Sequence, residues 1–218
     1  MASTLDTDPV ARIVSTLYEN ARSLTGGFSP GGPRRPLESS TAAEQAKAAE
    51  DRYMAVSPTG ARLMYSLVHA ARPTTVVEFG MSYGISTLHL AAAVRDNGVG
   101  HVYTTELSEK KVTAASTTFA DAGLDDVVTI LDGDALETLQ SVSGEIGFAF
   151  LDGWKGLYLP VFRLIEDQLP CGALVLADNT ESPDLIDYLA YVRDPGNGYV
   201  SLNFPGKGSD TMELTCRV

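Results

Sequence analysis

Residues 74–87 of the chain read TTVVEFGMSYGIST, and this stretch decides the predicted fold. It opens with a short run of β-branched and apolar residues, which is typical of a buried strand. Gly80 and Gly84 then permit a tight turn, and from Ile85 onward apolar residues recur at helical spacing. The stretch therefore predicts a strand, a glycine turn and a helix in direct succession.

The same alternation continues downstream. Four more short apolar runs follow, separated by helix-length stretches, at residues 100–107, 127–133, 146–153 and 173–179. Apolar strands that alternate with helices are typical of a parallel sheet covered on both faces. Two final runs, 199–204 and 211–218, are joined by the turn-rich sequence PGKGSD and predict an antiparallel hairpin at the sheet edge. The predicted fold class is α/β, with a doubly wound sheet.

Upstream of the first strand, the sequence predicts three helices near residues 8–24, 42–53 and 58–71. Residues 25–40 concentrate Gly, Pro and Ser and predict a mobile loop between the first two helices. We expect residues 1–57 to form a helical cap or lid and residues 58–218 to form the main domain. The predicted apolar face of the second helix consists of Ala42, Ala46, Ala49 and Tyr53.

Charge and composition exclude several classes of protein. The chain has 16 basic and 28 acidic residues, a net charge of −12, and 44% hydrophobic residues. The negative charge opposes nonspecific binding of nucleic acid, and the apolar fraction excludes a disordered chain. No leader sequence and no apolar window long enough for a membrane span are visible, so we expect a cytoplasmic protein with no membrane partner. Cys171 and Cys216 lack the spacing of a metal site and are expected to be reduced thiols.

Acidic residues also lie near the ends of the first three predicted strands. Glu106 closes the second strand, where an acid can accept hydrogen bonds from both ribose hydroxyls of a nucleoside. Glu78 lies in the first strand, and Gly133, Asp134 and Ala135 follow the third. Because the GxGxxG pattern of dinucleotide binders is absent, these features favour an adenosyl group without pyrophosphate, that is S-adenosylmethionine. An ordinary α/β turn with solvated acids is the alternative.

Two carboxylates and an amide follow the fourth and fifth predicted strands. Asp152 follows the fourth strand, and Asp178 and Asn179 follow the fifth. In the usual winding these strands are neighbours, so the three side chains converge in the crevice where open α/β sheets bind ligands. Three oxygen donors suit Mg²⁺ or another divalent cation, which also relieves the repulsion between two acids. Helix N-caps are the alternative interpretation of each acid taken singly.

Lys155 lies three residues beyond Asp152, at the expected start of a helix. The helix dipole and a nearby dication both disfavour a protonated amine there, so Lys155 is a candidate general base. An ordinary surface lysine is the alternative. Trp154, the only tryptophan, is interpreted either as core filling or as a flat wall for an aromatic ligand.

Residues 54–193 resemble the magnesium-dependent class I O-methyltransferases, most closely the catechol O-methyltransferase type. The resemblance is carried by the sequences MAVSPTGA, VVEFGMSYGIST, TTELS, LDGDALETL, FLDGWKGLYLP and LADNTESP. It implies a Rossmann-like, seven-stranded, mostly parallel sheet with a C-terminal antiparallel hairpin behind an N-terminal helical cap. It also implies methyl transfer from S-adenosylmethionine to one hydroxyl of a catechol-like aromatic diol.

The resemblance further implies a role for individual residues, matched motif by motif. Lys155 corresponds to the base that deprotonates the metal-bound hydroxyl. The metal ligands correspond to Asp152, Asp178 and Asn179, and the walls of the substrate pocket to Met54, Trp154 and Pro183. The S-adenosylmethionine site corresponds to Val56, Glu78, Gly80, Ser86, Glu106, Asp134, Ala135 and Asp152.

The sequence also departs from the family pattern. No tryptophan lies near Arg52 and Tyr53 to close one side of the pocket, and PGKGSD offers no glutamate for the second catechol hydroxyl. A larger natural product or a hydroxycinnamoyl thioester is therefore an alternative acceptor. A non-catalytic S-adenosylmethionine-binding protein and a nicotinamide-dependent oxidoreductase are the rival classes, and the sequence leaves a homodimer open.

Overall fold

The computed structural model describes residues 2–24 and 41–218. Its strands are β1 (Thr75–Phe79), β2 (His101–Glu106), β3 (Val128–Asp132), β4 (Phe148–Leu151), β5 (Leu174–Ala177), β6 (Tyr199–Pro205) and β7 (Thr211–Arg217). They form one sheet in the order β3-β2-β1-β4-β5-β7-β6. Strands β1 to β5 are parallel, and β7 runs antiparallel to both β5 and β6. The predicted seven-stranded, mostly parallel sheet with a C-terminal hairpin is confirmed.

Helices flank the sheet at every predicted position in the described ranges. They are α1 (Val10–Leu24), α2 (Ala42–Ala48), α3 (Pro58–Ala71), α4 (Ile85–Asn97), α5 (Glu109–Asp121), α6 (Ala135–Thr138), α7 (Tyr158–Ile165) and α8 (Ile186–Arg193). None of the helices in residues 2–24 and 41–218 is long and apolar enough to cross a membrane.

The second predicted helix is shorter than expected. A capping box fixes its start, because the Thr41 hydroxyl accepts from the Glu44 N–H and the Glu44 carboxylate accepts from the Thr41 N–H. The helix ends at Ala48, so the prediction that Tyr53 lies on its apolar face is wrong. Tyr53 instead stacks on the ring of Tyr83, with ring centroids 4.1 Å apart. The predicted loop over residues 25–40 lies outside the described residues.

Both faces of the sheet are buried at its centre, in β1 and β4, as their near-continuous apolar sequences require. Every residue of β1 is buried. On one face Val76 and Phe148 pack against α4, and on the other Val77 and Ala149 pack against α7. The sheet is therefore fixed from both sides, and its exposed parts near the site are the loops at the strand ends.

The N-terminal helices join the layer formed by α4. The Asp96 carboxylate on α4 accepts hydrogen bonds from the backbone and hydroxyl of Thr4 and from the Tyr65 hydroxyl on α3. These bonds tie the N-terminal segment and α3 to α4. The predicted division between residues 1–57 and 58–218 stays a prediction.

Candidate functional site

The turn after β1 is built by backbone contacts to its two neighbouring strands. Gly80 has φ +100°, and a Cβ there would lie 2.8 Å from the carbonyl oxygen of Asp152. The Met81 N–H donates to the Thr105 carbonyl on β2 at 2.9 Å. Glycine at position 80 is therefore required by the approach of β1 to the β4 loop. Its predicted contact with a cofactor stays a prediction.

Glu106 at the end of β2 is held by backbone N–H groups. Its Oε2 accepts from the Ser82 N–H at 2.8 Å, and its Oε1 accepts from the N–H groups of Leu107 and Ser108 at 2.9 Å. Ser82 itself has a positive φ of 52°. The carboxylate is thus fixed at the mouth of the glycine turn, where the sequence predicts a ribose-binding acid.

Glu78 in β1 is fully buried beside the start of α4. Its Oε2 accepts from the hydroxyls of Thr87 and Thr104, whereas its Oε1 has no partner in the part of the chain described. Burial raises the pKa of the carboxyl, and the hydroxyls of Ser86, Thr104 and Thr87 oppose the rise. A buried, unpartnered carboxyl oxygen beside the glycine turn is a place where a donor group of a ligand would be stabilised.

The segment before α3 covers this turn. Met54 and Val56 line a cavity together with Ser86, so the structure brings these three predicted residues together. Tyr83 on the turn anchors the segment, because its hydroxyl donates to the Glu50 carbonyl at 2.7 Å and its ring stacks on Tyr53. The other residues that line the cavity are Tyr53, Ala55, Met81, Ser82, Tyr83 and Ile85.

The residues predicted at the adenine end lie beside Glu106. Gly133 donates its N–H to the Glu106 carbonyl at 2.9 Å, which places the start of α6 next to the end of β2. Asp134 is the N-cap of α6 and accepts from the Leu136 N–H at 2.8 Å, and Ala135 is buried. The helix cap accounts for the aspartate in this structure, and an adenine contact for Asp134 and Ala135 stays a prediction.

The two predicted acidic metal ligands lie side by side. Leu151 and Ala177 pair in the sheet, and Asp152 and Asp178 follow them directly. Burial raises the pKa of Asp152 to about 7, Lys155 opposes the rise, and Asp178 adds to it by charge repulsion. Burial likewise raises the pKa of Asp178, again against the pull of Lys155. Lys155 therefore does not fully compensate the negative charge of Asp152 and Asp178.

Lys155 lies between the acids and a buried tyrosine that the sequence did not reveal. Its Nζ lies 3.2 Å from Asp152 Oδ1 and donates to the Tyr158 hydroxyl at 2.8 Å. Tyr158 is fully buried and donates to the Asp178 carbonyl at 3.1 Å. The side chain of Lys155 is 23% exposed, so it is held in place yet accessible from the crevice.

The β6–β7 turn brings two charged residues that sequence reasoning also missed. Asp210 Oδ2 accepts from Asn179 Nδ2 at 2.9 Å. Lys207 Nζ donates to the Ala55 carbonyl at 3.3 Å, and burial lowers its pKa against the opposing pull of Asp178. The antiparallel pairing of β7 with β5 could have indicated Asp210, because the start of β7 then lies at the carboxyl end of β5.

The three predicted pocket walls lie on loops. Trp154 precedes a short 3₁₀ turn (Lys155–Leu157), is half-buried and belongs to neither core cluster, so core filling is not its role. Met54 is 42% exposed, and Pro183 begins a 3₁₀ turn and is exposed. Contact with a substrate stays a prediction for all three.

The ends of β4 and β5 offer few donors for a hard divalent cation. In residues 2–24 and 41–218 no group of three or more His, Cys, Asp or Glu side chains is arranged to hold a metal ion. The candidate ligand set contains two carboxylates, Asp152 and Asp178, and takes its third oxygen from the amide of Asn179. Its chemistry fits a hard cation, because all three are oxygen donors and burial disfavours the charged form of both acids unless a cation compensates.

The region that carries these residues is similar to a known family. Residues 77–180 match the family model of a methyltransferase domain. This part of the chain is therefore similar to a methyltransferase domain. The match covers the glycine turn, both acidic strand ends and Lys155. Together with relatives named O-methyltransferase, it confirms the resemblance predicted from the sequence.

Individual relatives agree with this assignment. A probable O-methyltransferase of Mycobacterium tuberculosis is 36% identical over 142 residues, 60% of this chain and 60% of the relative. A catechol O-methyltransferase of Sus scrofa is 29% identical over 154 residues, 67% of this chain and 82% of the relative. The alignment thus spans about three fifths of the mycobacterial relative.

The fold also matches solved structures. The O-methyltransferase TomG of Streptomyces achromogenes, solved in complex with SAM and involved in tomaymycin synthesis, superimposes with a TM-score of 0.67. It is 22% identical, and the superposition covers 83% of this chain and 91% of TomG. At this identity the likeness shows the fold alone.

Proposed function

We propose that this protein transfers a methyl group from S-adenosylmethionine to one hydroxyl of a catechol-like aromatic diol. The methyltransferase domain and the relatives named O-methyltransferase support the reaction class. The observation that carries the proposal is the position of Lys155, whose amine lies against Asp152 and Tyr158 beside a buried acid pair.

We propose the S-adenosylmethionine site along the β1 turn. Glu78 and Ser86 lie at the buried end of the turn, where one carboxyl oxygen of Glu78 has no partner in the described residues. Glu106 offers a fixed carboxylate at the open end, and the Val56 segment covers the cavity between them. Gly80, Asp134, Ala135 and Asp152 complete the proposed site.

A divalent cation is proposed at Asp152, Asp178 and Asn179, with Mg²⁺ as the metal that suits oxygen donors. Such a cation would compensate the two acids and make the hydroxyl of a bound diol more acidic. Asp152 and Asp178 fix the position of this charge because each follows a strand that is buried on both faces.

Lys155 is proposed as the general base. Its amine lies on the crevice side of the acid pair, and Tyr158 holds it there through a buried hydroxyl. In this position it would accept the proton of the attacking hydroxyl. Trp154, Met54 and Pro183 would restrict the aromatic ring to the space in front of Lys155.

A larger acceptor is the second candidate. Met54 and Pro183 are exposed on loops, and no tryptophan follows Arg52 to narrow the crevice. A caffeoyl-CoA O-methyltransferase of Stellaria longipes is also similar to this chain, with 23% identity over 154 residues. A natural product or a hydroxycinnamoyl thioester is therefore proposed as the alternative substrate class.

The test is a mass-spectrometric screen of catechols, flavonoids and hydroxycinnamates with S-adenosylmethionine and Mg²⁺. We expect a product about 14 mass units heavier, formed only without excess EDTA. Unchanged activity in excess EDTA would contradict the cation. No methylated product, together with calorimetric binding of S-adenosylmethionine, would favour a non-catalytic binding protein, and binding of NAD instead would favour an oxidoreductase.

The role of Lys155 is tested by Lys155→Ala, with Lys47→Ala as the matched control at an exposed lysine. Loss of a general base is expected to lower kcat about 10²- to 10⁴-fold. The affinity for S-adenosylmethionine should stay close to that of the wild type. Equal losses of turnover and cofactor affinity would instead indicate a structural lysine.

A further inference from the structure

The β6–β7 turn contributes the Asp210 carboxylate to the candidate site, and both oxygens of this carboxylate accept hydrogen bonds. Asp210 Oδ2 accepts from Asn179 Nδ2 at 2.9 Å. Asp210 Oδ1 accepts from the backbone N–H groups of Thr211 at 2.9 Å and Glu181 at 3.2 Å. Because both oxygens have donors, the carboxylate cannot rotate without losing hydrogen bonds.

These contacts determine which way the Asn179 amide faces. An ionised carboxylate only accepts hydrogen bonds, so the amide nitrogen, not the oxygen, must point at Asp210. The backbone of Asn179 is fixed as well, with φ +59° and its N–H donating to Asp178 Oδ1 at 2.9 Å. The amide oxygen is consequently turned away from Asp210.

We infer that Asp210 is a positioning residue that orients the Asn179 amide so that its carbonyl oxygen serves the cation site. This inference rests on the proposed function, because it assumes a cation at Asp152 and Asp178. An amide can bind a hard cation only through its oxygen, and its NH₂ group is a donor without a lone pair for metal. A flipped Asn179 would therefore remove one of three protein ligands.

Asp210→Asn tests the inference with a minimal change. The oxygen of the introduced amide is expected to face the two backbone N–H groups from which Asp210 Oδ1 now accepts, since an NH₂ group there would meet two donors. The NH₂ group of the introduced amide would then face the NH₂ group of Asn179, which has to flip. Removal of a partner that orients a metal ligand typically weakens metal affinity about 10- to 100-fold.

The double variant Asn179→Asp with Asp210→Asn, called here the exchanged variant, is the matched control. It keeps the net charge and restores a donor opposite an acceptor, because the amide introduced at position 210 can donate to one oxygen of the carboxylate introduced at position 179. The other oxygen of that carboxylate then faces the cation. We expect the exchanged variant to bind metal far more tightly than Asp210→Asn alone.

The experiment is a titration of Mn²⁺ followed by electron paramagnetic resonance, with wild type and both variants. Calorimetry with S-adenosylmethionine and urea unfolding show whether cofactor binding and folding are intact. Weak Mn²⁺ binding by Asp210→Asn and recovery in the exchanged variant would support positioning. If Asp210→Asn does not fold, tight binding by the exchanged variant supports the inference and weak binding overturns it.

Other outcomes overturn the inference in distinguishable ways. Mn²⁺ affinity of Asp210→Asn equal to wild type would refute the orienting role alone and leave the proposed function standing. Weak binding by both variants would mean that Asp210 acts by its own charge and not by orienting Asn179. Absence of Mn²⁺ binding in the wild type would refute the proposed cation itself, and the inference with it.

Discussion

The hydroxyl of Tyr158 is expected to hold both the lysine and the acid loop, so Tyr158→Phe is the most informative single change. The ring is fully buried, and its hydroxyl accepts from Lys155 Nζ at 2.8 Å and donates to the Asp178 carbonyl at 3.1 Å. Phenylalanine keeps the ring and removes only these two bonds. The change therefore isolates the hydroxyl.

The magnitude follows from the two bonds. A hydrogen bond to a charged group contributes about 1.5–3 kcal/mol to stability and a neutral one about 0.5–1.5 kcal/mol. The Asp178 carbonyl is buried, whereas Lys155 is 23% exposed and can be partly solvated once the hydroxyl is lost. We therefore expect Tyr158→Phe to lower the free energy of unfolding by about 2–3 kcal/mol. If Lys155 is the base, kcat should also fall, with little change in affinity for S-adenosylmethionine.

Tyr18→Phe is the matched control. Tyr18 is also buried, but its hydroxyl has no hydrogen-bond partner among residues 2–24 and 41–218. Its removal should be neutral or slightly stabilising, since an unsatisfied polar atom is taken out of the interior. Both variants are compared with wild type by urea unfolding in EDTA. Equal stability of Tyr158→Phe and Tyr18→Phe would refute the assigned role of the Tyr158 hydroxyl.

Three further changes test the fold around the site. Burial lowers the pKa of His89 to about 4, so the unfolded chain binds a proton that the native state does not as pH falls from 6.5 towards 4. Protonation of this residue on unfolding should lower the free energy of unfolding of the wild type by about 2–3 kcal/mol between pH 7 and pH 4.5. Urea unfolding of His89→Gln should show a much smaller loss over the same pH range. Arg193→Ala should destabilise by about 2–3 kcal/mol, because it takes two hydrogen bonds from the buried Glu213 carboxylate; an unchanged urea midpoint would contradict this. Gly153→Ala would place a Cβ 2.5 Å from the Phe79 ring, so the melting temperature should fall, whereas Gly156→Ala, with open space around it, should leave it unchanged.

The sheet could be predicted from sequence because its central strands can be recognised from local sequence patterns. The runs around Phe148 and Val175 are apolar on successive residues, as burial on both faces requires. Each is followed by glycine or an acid, which marks where the strand ends. These are local patterns, so no knowledge of the neighbouring strand was needed to find them.

Side-chain partners across the site could not be predicted in the same way. Tyr158 is one turn beyond Lys155 in a helix whose apolar face gives it an ordinary core signature. Asp210 is 31 residues from Asn179 in the chain. Nothing in the local pattern distinguishes either residue from a core tyrosine or a turn aspartate, because their roles depend on how β7 and α7 are placed against β5.

The hairpin shows why sheet order decides this site. If β7 paired parallel to β5, its first residues would lie at the opposite edge of the sheet, far from the carboxyl ends of β4 and β5. Antiparallel pairing reverses the strand, with Ala177 opposite Glu213, so the turn before β7 meets the loop after β5. The antiparallel hairpin therefore does more than close the sheet edge, because it places the Asp210 carboxylate against the amide of Asn179.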